Sequence, residues 1–245
     1  NIGMPSIEIM IISSILKKNH KVHYTRDLND KEIEDCDFVI LPSSIIAHET
    51  ELEAISKLKH KKIFVTGIFA TTKRDEYLVE NSIVVKNESD TFFYNLEKSN
   101  SFNLNFLNEL FDKKDLINDY YSPVELDDFP YPDWGSYTKK FPLRNDFFSL
   151  NHKIAVPLLG TRGCPYSCFF YCTYPLQQGR KVRARSVENI IEEIKYWIKE
   201  LGTNKFVFRD PVFSINRKHT IAFCKKVIEE KLDITFMVET HLNNL

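Results

Sequence analysis

The stretch that decides the fold is Ile154-Ala-Val-Pro-Leu-Leu-Gly-Thr-Arg-Gly-Cys-Pro-Tyr-Ser-Cys-Phe-Phe-Tyr-Cys172. It begins with an apolar run, Ile154–Leu159, that is typical of a buried strand. The strand leads into a loop that opens at Gly160 and carries Cys164, Cys168 and Cys172. Because chemistry in parallel α/β folds lies at the carboxyl ends of strands, this pattern predicts a functional site at a strand end.

Helix and strand signals alternate downstream of this loop. Ser186 is a good N-cap, and apolar residues then recur with a 3.6-residue period as far as Gly202, which predicts a helix. Phe206–Phe208 and Ile234–Val238 are predicted as strands, with a second helix from about Asn216 to Lys231 between them. Three strands with two intervening helices begin a parallel sheet or barrel.

The first hundred residues show the same alternation. Helices are predicted at Ile7–Leu16, Glu49–Leu58 and Asp90–Glu97. Strands are predicted at Lys21–Thr25, Phe38–Leu41, Lys62–Thr66 and Ser82–Lys86. Such a pattern predicts βαβ units, and right-handed crossovers then give an open, doubly wound parallel sheet of Rossmann type.

A polar, proline-containing region separates the two halves. Asn100–Asn118 is polar and weakly periodic, and Ser122–Trp134 holds three prolines within ten positions, too many for a helix or a central strand. We therefore predict an α/β protein with a Rossmann-like domain at 1–99, a linker at 100–150 and the first half of a (β/α) barrel at 151–245.

The composition of the 245 residues excludes several classes of protein. Charged residues are 27% and hydrophobic residues 43%, as in ordinary globular proteins, and the formal charge is −1. No global basic field therefore attracts nucleic acid or anionic lipid. No apolar segment reaches the roughly 20 residues that a membrane span needs, and we see no signal-peptide pattern. We expect a cytoplasmic protein.

The five cysteines fall into two groups. Cys36 and Cys224 stand alone in apolar segments, as small core residues do. The other three lie within nine positions, and three thiolates on a short loop can hold three irons of a 4Fe–4S cluster and leave the fourth iron open. Structural zinc usually takes four ligands in paired C-x2-C motifs, and no second pair exists. The spacing leaves a cluster, zinc and unligated thiols open.

The segment Gly160–Pro175 resembles the cluster loop of the radical S-adenosylmethionine superfamily, in the subgroup with an N-terminal cobalamin-binding-type domain. The similarity spans nearly the whole chain. Leu126–Trp134 is similar to the interdomain linker of the subgroup. The segments that resemble its N-terminal domain are Pro5–Asp27, Asp37–Ser44, Lys62–Thr71 and Val84–Leu96.

The resemblance implies a radical reaction. A 4Fe–4S cluster on Cys164, Cys168 and Cys172 would cleave S-adenosylmethionine reductively, and the resulting 5′-deoxyadenosyl radical would attack an unactivated carbon. Bound cobalamin would allow methyl transfer, and an external donor such as flavodoxin or ferredoxin would supply the electron. Two alternatives stay open: the same enzyme without cobalamin, and a non-catalytic protein whose loop is degenerate or holds zinc. The substrate cannot be read from the sequence.

The resemblance also suggests cofactor contacts. Tyr171 matches an aromatic position that contacts the adenine, and Asp210, at the end of the second strand, matches a polar contact to the methionine amino group. Glu239 and His241 end the third strand and would face the same cavity. The alternatives are loop packing for Tyr171, a solvated strand end for Asp210, and a surface or hinge position for Glu239 and His241. The basic run Arg180, Lys181, Arg183 and Arg185 is expected to be a solvated face.

The chain departs from the family pattern at three places. Its cysteine spacing is three and three residues, whereas the family has three and two. Thr66-Gly-Ile-Phe-Ala-Thr71 stands where the family often has Gly-Gly-Pro-His-Ala-Thr, and Asn87–Asp90 replaces a glycine-rich turn. There is also no Asp-x-His-x-x-Gly motif to offer a histidine to cobalt. We therefore predict weak cobalamin binding or none, because each lost glycine removes a close approach of the backbone.

The three barrel strands are half of the six in the family, so we expect the chain to be a fragment of a longer protein. Phe236–Val238 would otherwise form a bare apolar edge in water. Expressed alone, the 245 residues are predicted to be poorly stable and without turnover.

Overall fold

A computed structural model describes residues 6–100, 102–114, 117, 120–141, 149–150, 153–168 and 171–244. The chain forms two compact units, which are described separately below. Ile12–Val124 form the N-terminal unit, and Asn1–Ile11 with Glu125–Leu245 form the C-terminal unit. These bounds differ from those of the predicted domains and linker, which stay a prediction.

The helices and strands alternate along much of the chain. The α-helices are α1 (Ile7–Leu16), α2 (Lys31–Glu34), α3 (His48–Lys57), α4 (Ile68–Thr72), α5 (Arg74–Tyr77), α6 (Ser89–Lys98), α7 (Leu104–Asp112), α8 (Trp134–Lys140), α9 (Tyr174–Gln178), α10 (Val187–Leu201) and α11 (Arg217–Glu229). The strands are β1 (Phe38–Pro42), β2 (Lys62–Thr66), β3 (Ser82–Val84), β4 (Ser149–Leu150), β5 (Lys153–Leu158), β6 (Thr161–Arg162), β7 (Arg183–Ala184), β8 (Lys205–Phe208) and β9 (Thr235–Met237). Short 3₁₀ turns occupy Leu126–Asp128 and Leu242–Asn244.

Parallel sheets form the centre of both units. In the N-terminal unit, β1, β2 and β3 pair in this order and are all parallel. In the C-terminal unit, β5, β8 and β9 are parallel neighbours, and β4 adds an antiparallel strand beside β5. The predicted α/β class is thus confirmed, and the strands of the described residues do not close into a barrel.

Aromatic side chains fill much of the N-terminal core. The ring of Phe64 on β2 has no exposed surface and packs against the rings of Phe92, Phe93 and Phe111 at centroid distances of 5.2–5.9 Å. Each such buried ring contributes about 1.5–3 kcal/mol relative to an exposed one. This packing holds α6 and α7 against β2.

Helix α10 forms where its sequence predicts it. The Ser186 side chain accepts a hydrogen bond from the Asn189 amide, and Gly202 ends the helix in the left-handed conformation with φ of +62°. The apolar stripe, Ile190, Ile191, Ile194 and Trp197, is buried. Both caps and the period therefore determine the helix that follows the cysteine loop.

One expected strand is absent, and one helix was not expected from the sequence. Lys21–Thr25 is not a strand, although its side chains alternate in exposure, because none of the other described segments pairs its backbone with it. Leu104–Asp112, inside the stretch expected to be a polar linker, is helix α7. The Asn103 side chain caps it, and Leu107 and Leu110 are buried.

Among the described residues, no helix combines the length and the apolar character that crossing a membrane requires.

Candidate functional site

The cysteine loop starts from a short antiparallel ribbon beyond the end of β5. Thr161 and Arg162 of β6 pair with Ala184 and Arg183 of β7. Beyond the ribbon, the Cys164 amide donates to the Gly179 carbonyl oxygen at 3.1 Å. The start of the loop is therefore tied to the segment that follows it, and the Cys164 side chain is buried.

Gly163 is required immediately before the first cysteine. Its φ is +87°, and a Cβ atom there would lie 2.1 Å from the Lys181 carbonyl oxygen. Its amide donates to the Gln178 Oε1 atom at 3.1 Å. A side chain cannot fit at this position, so the close approach of the two segments depends on glycine.

The exposed Arg180 holds the segment between the first two cysteines. Its Nη1 atom donates to the carbonyl oxygens of Pro165 and Tyr166, at 3.4 and 3.3 Å, and to the Ser167 Oγ atom at 3.1 Å. This arginine belongs to the basic run that was expected to be a solvated face. Arg185, from the same run, is buried and paired with Glu193. The run therefore supports the loop and the helix after it.

The three thiols are not gathered around one point. Cys164 is buried, Cys168 and Cys172 are half-buried, and none forms a disulfide. No three His, Cys, Asp or Glu side chains of the described residues lie close enough together to hold a metal ion. The donor chemistry, three free thiols on one strand-end loop, suits an iron–sulfur cluster, whereas the arrangement of the sulfur atoms is not that of an assembled site.

Asp210, just beyond the end of β8, is buried beneath the opening of this loop. Its side chain is almost fully inaccessible, and its two oxygens accept hydrogen bonds from the Gly160 amide and the Thr161 hydroxyl, each at 2.7 Å. Burial raises the pKa of Asp210 to about 6, although both hydrogen bonds and the positive charge of Arg185 lower it. The protein therefore holds this proton more tightly than the unfolded chain does.

This pKa predicts a pH dependence that Asp210→Asn should remove. Between pH 3.8, the ordinary pKa, and about pH 6, the folded state binds more protons at Asp210 than the unfolded state does. The contribution of Asp210 to the free energy of unfolding therefore falls as the pH rises through this range. At about 1.4 kcal/mol per pH unit, the decrease is roughly 3 kcal/mol. Denaturant titrations from pH 3.5 to 8 should show it as a difference between wild type and variant. A constant difference across this range would contradict the assignment.

The ends of β8 and β9 meet the cysteine loop around Tyr174. Burial is the largest cause that raises the pKa of the Tyr174 hydroxyl; the charge of Arg209 lowers it, and Glu239, Cys172 and Asp210 raise it further. Glu239 is 59% exposed and lies 3.4 Å from the Arg209 Nη1 atom. The Arg209–Glu239 pair thus joins the ends of β8 and β9, and the charges of Glu239, Cys172 and Asp210 all act on the Tyr174 hydroxyl.

Two aromatic positions differ in their surroundings. The predicted adenine contact, Tyr171, is 72% exposed. Tyr166 lies between the first two cysteines and stacks on His241, with ring centroids 4.3 Å apart, and its hydroxyl donates to the Asn244 Oδ1 atom at 2.9 Å. Sequence reasoning missed the roles of Tyr166 and Arg180, and no local pattern indicates either of them.

The fold is that of cobalamin-dependent radical S-adenosylmethionine enzymes of known structure. OxsB, solved with aqua-cobalamin and S-adenosylmethionine bound, superimposes with a TM-score of 0.61 and 14% identity, over 96% of this chain and 36% of that one. The methyltransferase TsrM from Kitasatospora setae gives a TM-score of 0.59 and 12% identity, over 93% of this chain and 49% of that one. At these identities the likeness shows the fold alone.

Curated proteins show the same resemblance in sequence. An uncharacterized methyltransferase of Pyrococcus horikoshii is 35% identical over 86 residues, which are 35% of this chain and 18% of that protein. The anaerobic magnesium-protoporphyrin IX monomethyl ester cyclase of Cereibacter sphaeroides is 27% identical over 205 residues, 79% of this chain and 32% of the cyclase. The chain thus spans a third or less of these relatives, and no family model matches it. The resemblance to the radical S-adenosylmethionine superfamily is confirmed.

Proposed function

We propose that this chain is the cofactor-binding part of a radical S-adenosylmethionine enzyme. The observation that carries the proposal is the three-cysteine loop at the carboxyl end of β5, next to the ends of β8 and β9, in a chain with this fold. We assign Cys164, Cys168 and Cys172 as the ligands of a 4Fe–4S cluster. When bound, such a cluster supplies the electron that cleaves S-adenosylmethionine.

The residues around the loop would bind and orient the cofactors. Tyr171 is 72% exposed, which suits stacking on an adenine, and Glu239 is 59% exposed beyond the end of β9. Arg180 and Gly163 set the path of the loop. We further propose a cytoplasmic enzyme that takes its electron from flavodoxin or ferredoxin.

Anaerobic reconstitution with iron and sulfide tests this function. The expected result for this chain is broad visible absorption from a thiolate-bound cluster; in the longer protein of which we expect it to be part, addition of dithionite and S-adenosylmethionine should give 5′-deoxyadenosine and methionine. Analysis without added protein supplies the background. A longer protein that takes up iron and sulfide but cleaves no S-adenosylmethionine would contradict the proposed reaction.

A second candidate is a binding protein whose loop holds zinc or no metal. The extra residue in the cysteine spacing favours it, and the separated thiols favour its metal-free form. Zinc gives no visible absorption, so the same reconstitution separates the two candidates. Stoichiometric zinc, with no uptake of iron or sulfide, would identify this alternative.

The carboxyl edge of the N-terminal sheet does not fit cobalamin, although the fold is that of a cobalamin-binding-type domain. The Ser43 hydroxyl, beyond β1, accepts a hydrogen bond from the Ala70 amide at 2.8 Å. Phe69 packs its ring edgewise on His48 and Tyr77, at centroid distances of 5.1 and 6.4 Å. Side chains of the domain itself therefore occupy this edge, and we propose that any methyl transfer here does not rest on tightly bound cobalamin.

Hydroxocobalamin is accordingly predicted to bind weakly or not at all. Titration of the purified protein, followed through the visible bands of the corrin, should show no saturation at micromolar concentrations. Asn87 has a φ of +54°, so the turn keeps a left-handed residue but carries a side chain at this position. A dissociation constant of about 1 μM or tighter would show that the edge opens for the cofactor.

A further inference from the structure

Asp210 uses both carboxylate oxygens inside the protein. Oδ1 accepts from the Gly160 amide and Oδ2 from the Thr161 hydroxyl, and only 1% of the residue is accessible. A hydrogen bond to a charged acceptor is stronger than one between neutral groups, at about 1.5–3 kcal/mol. The Asp210 carboxylate therefore cannot reach a bound ligand without losing these two hydrogen bonds.

The surroundings of Gly160 leave little room for its contact with Asp210 to shift. A Cβ atom on Gly160 would lie 3.1 Å from the Asp210 Oδ2 atom and 3.3 Å from the Ile190 Cδ1 atom. On the other side, the Arg185 amide donates to the Gly160 carbonyl oxygen at 2.9 Å, and its Nη1 atom donates to the Leu159 carbonyl oxygen at 3.0 Å. The first turn of the loop is therefore held from two sides.

This turn is continuous with the first cysteine. Thr161, which bonds to Asp210, starts β6, and the pairing of β6 with β7 leads directly to Gly163 and to the bond between the Cys164 amide and Gly179. A connected series of hydrogen bonds thus runs from the end of β8 to the backbone of Cys164. Loosening its first member would loosen the position of that cysteine.

We infer that Asp210 is a positioning residue that anchors the opening of the cysteine loop, and that it makes no contact with S-adenosylmethionine. The inference deepens the proposed function, on which it rests where Cys164 is taken as a cluster ligand. The predicted contact of Asp210 with the methionine amino group is replaced by a role in placing the loop. Asp210 thereby couples the end of the second parallel strand to the loop that follows the first.

Hydrogen exchange tests the anchoring without any cofactor. Asp210→Ala and Thr161→Val should each speed the exchange of the amides from Gly160 to Cys164 by about tenfold or more, because each removes at least one bond to the anchor. Asp210→Asn should stay close to wild type, since its amide can accept from Gly160 and donate to the Thr161 hydroxyl. Thr161→Ser should also stay close, because it keeps the hydroxyl. Asp233→Ala, an exposed aspartate just before β9, is the matched control.

S-adenosylmethionine binding separates positioning from direct contact. In reconstituted protein, Asp210→Asn should keep its iron content and should change the dissociation constant for S-adenosylmethionine by less than about threefold. A loss of tenfold or more with the cluster intact would show a direct contact and overturn the inference. Unchanged exchange in both Asp210→Ala and Thr161→Val would overturn the anchoring. If wild-type protein takes up no iron, the proposed function fails, and the exchange experiment still decides the role of Asp210.

Discussion

Replacement of Cys172 by alanine is expected to reduce the iron and sulfide content of the reconstituted protein to background. The same result is expected for Cys164→Ala and Cys168→Ala. A 4Fe–4S cluster held by three thiolates has one iron without a protein ligand. Removal of any one thiolate leaves two irons without a protein ligand. Iron and sulfide per chain, measured after anaerobic reconstitution, provide the test.

Cys36 and Cys224 supply matched controls for this experiment. Both are free thiols that do not belong to the cysteine loop, and the Cys36 Sγ atom donates to the Ile33 carbonyl oxygen. Alanine at either position should leave the iron content unchanged. Cys172 is the critical member of the set, because the extra residue displaces it from the usual spacing of the family. Full iron content in Cys172→Ala would show that it is not a ligand and would favour the degenerate loop.

The parts of the fold that local physics determines could be predicted from the sequence. Helix α10 carries an N-cap, an apolar stripe and a left-handed glycine at its end, and all three agree. The buried strand Lys62–Thr66 was predicted with its observed bounds, because an uninterrupted apolar run ends at Gly67. The position of the cysteine loop at a strand end followed from the same kind of pattern.

The absent strand and the overlooked helix have different causes. Val22 and Tyr24 alternate with polar residues, which is necessary for a half-buried strand but does not supply a partner for its backbone. Helix α7 was overlooked because the polar residues of the wider stretch Asn100–Asn118 outweighed Asn103, a good N-cap, and the spacing of Leu107 and Leu110. Composition was given more weight there than capping and period.

The contacts that hold the cysteine loop could not be predicted, because they join distant parts of the chain. Asp210 bonds to residues 49 and 50 positions earlier, and Tyr166 bonds to Asn244, 78 positions later. Such contacts depend on the sheet order, which brings the ends of β5, β8 and β9 to one edge. Sequence reasoning therefore predicted the position of the candidate site and its residue types. It did not predict which of these residues hold the cysteine loop in place.

Glu193→Ala is expected to lower the free energy of unfolding of the C-terminal unit by about 3–5 kcal/mol. Glu193 has no exposed surface, and its two oxygens accept from the Arg185 Nη1 atom at 2.5 Å and from the Trp197 Nε1 atom at 3.1 Å. Removal of the carboxylate leaves a buried guanidinium without its counter-charge and an indole without its acceptor. The expected decrease is the one that an uncompensated buried charge causes, and it is larger than the net stabilisation that the intact pair provides.

Glu192→Ala is the matched control, one position earlier on the same helix. Its side chain is 62% exposed and pairs with Lys195 at 2.9 Å, so its loss should cost less than about 0.5 kcal/mol. Both tryptophans, Trp134 and Trp197, belong to the C-terminal unit, so denaturant unfolding followed by tryptophan fluorescence reports on that unit. Equal decreases in the free energy of unfolding in the two variants would show that the buried pair stabilises the protein no more than the exposed pair does. Because Arg185 also donates to the Leu159 carbonyl oxygen, the large loss should be accompanied by faster hydrogen exchange at Gly160, which would link the stability of α10 to the placement of the cysteine loop.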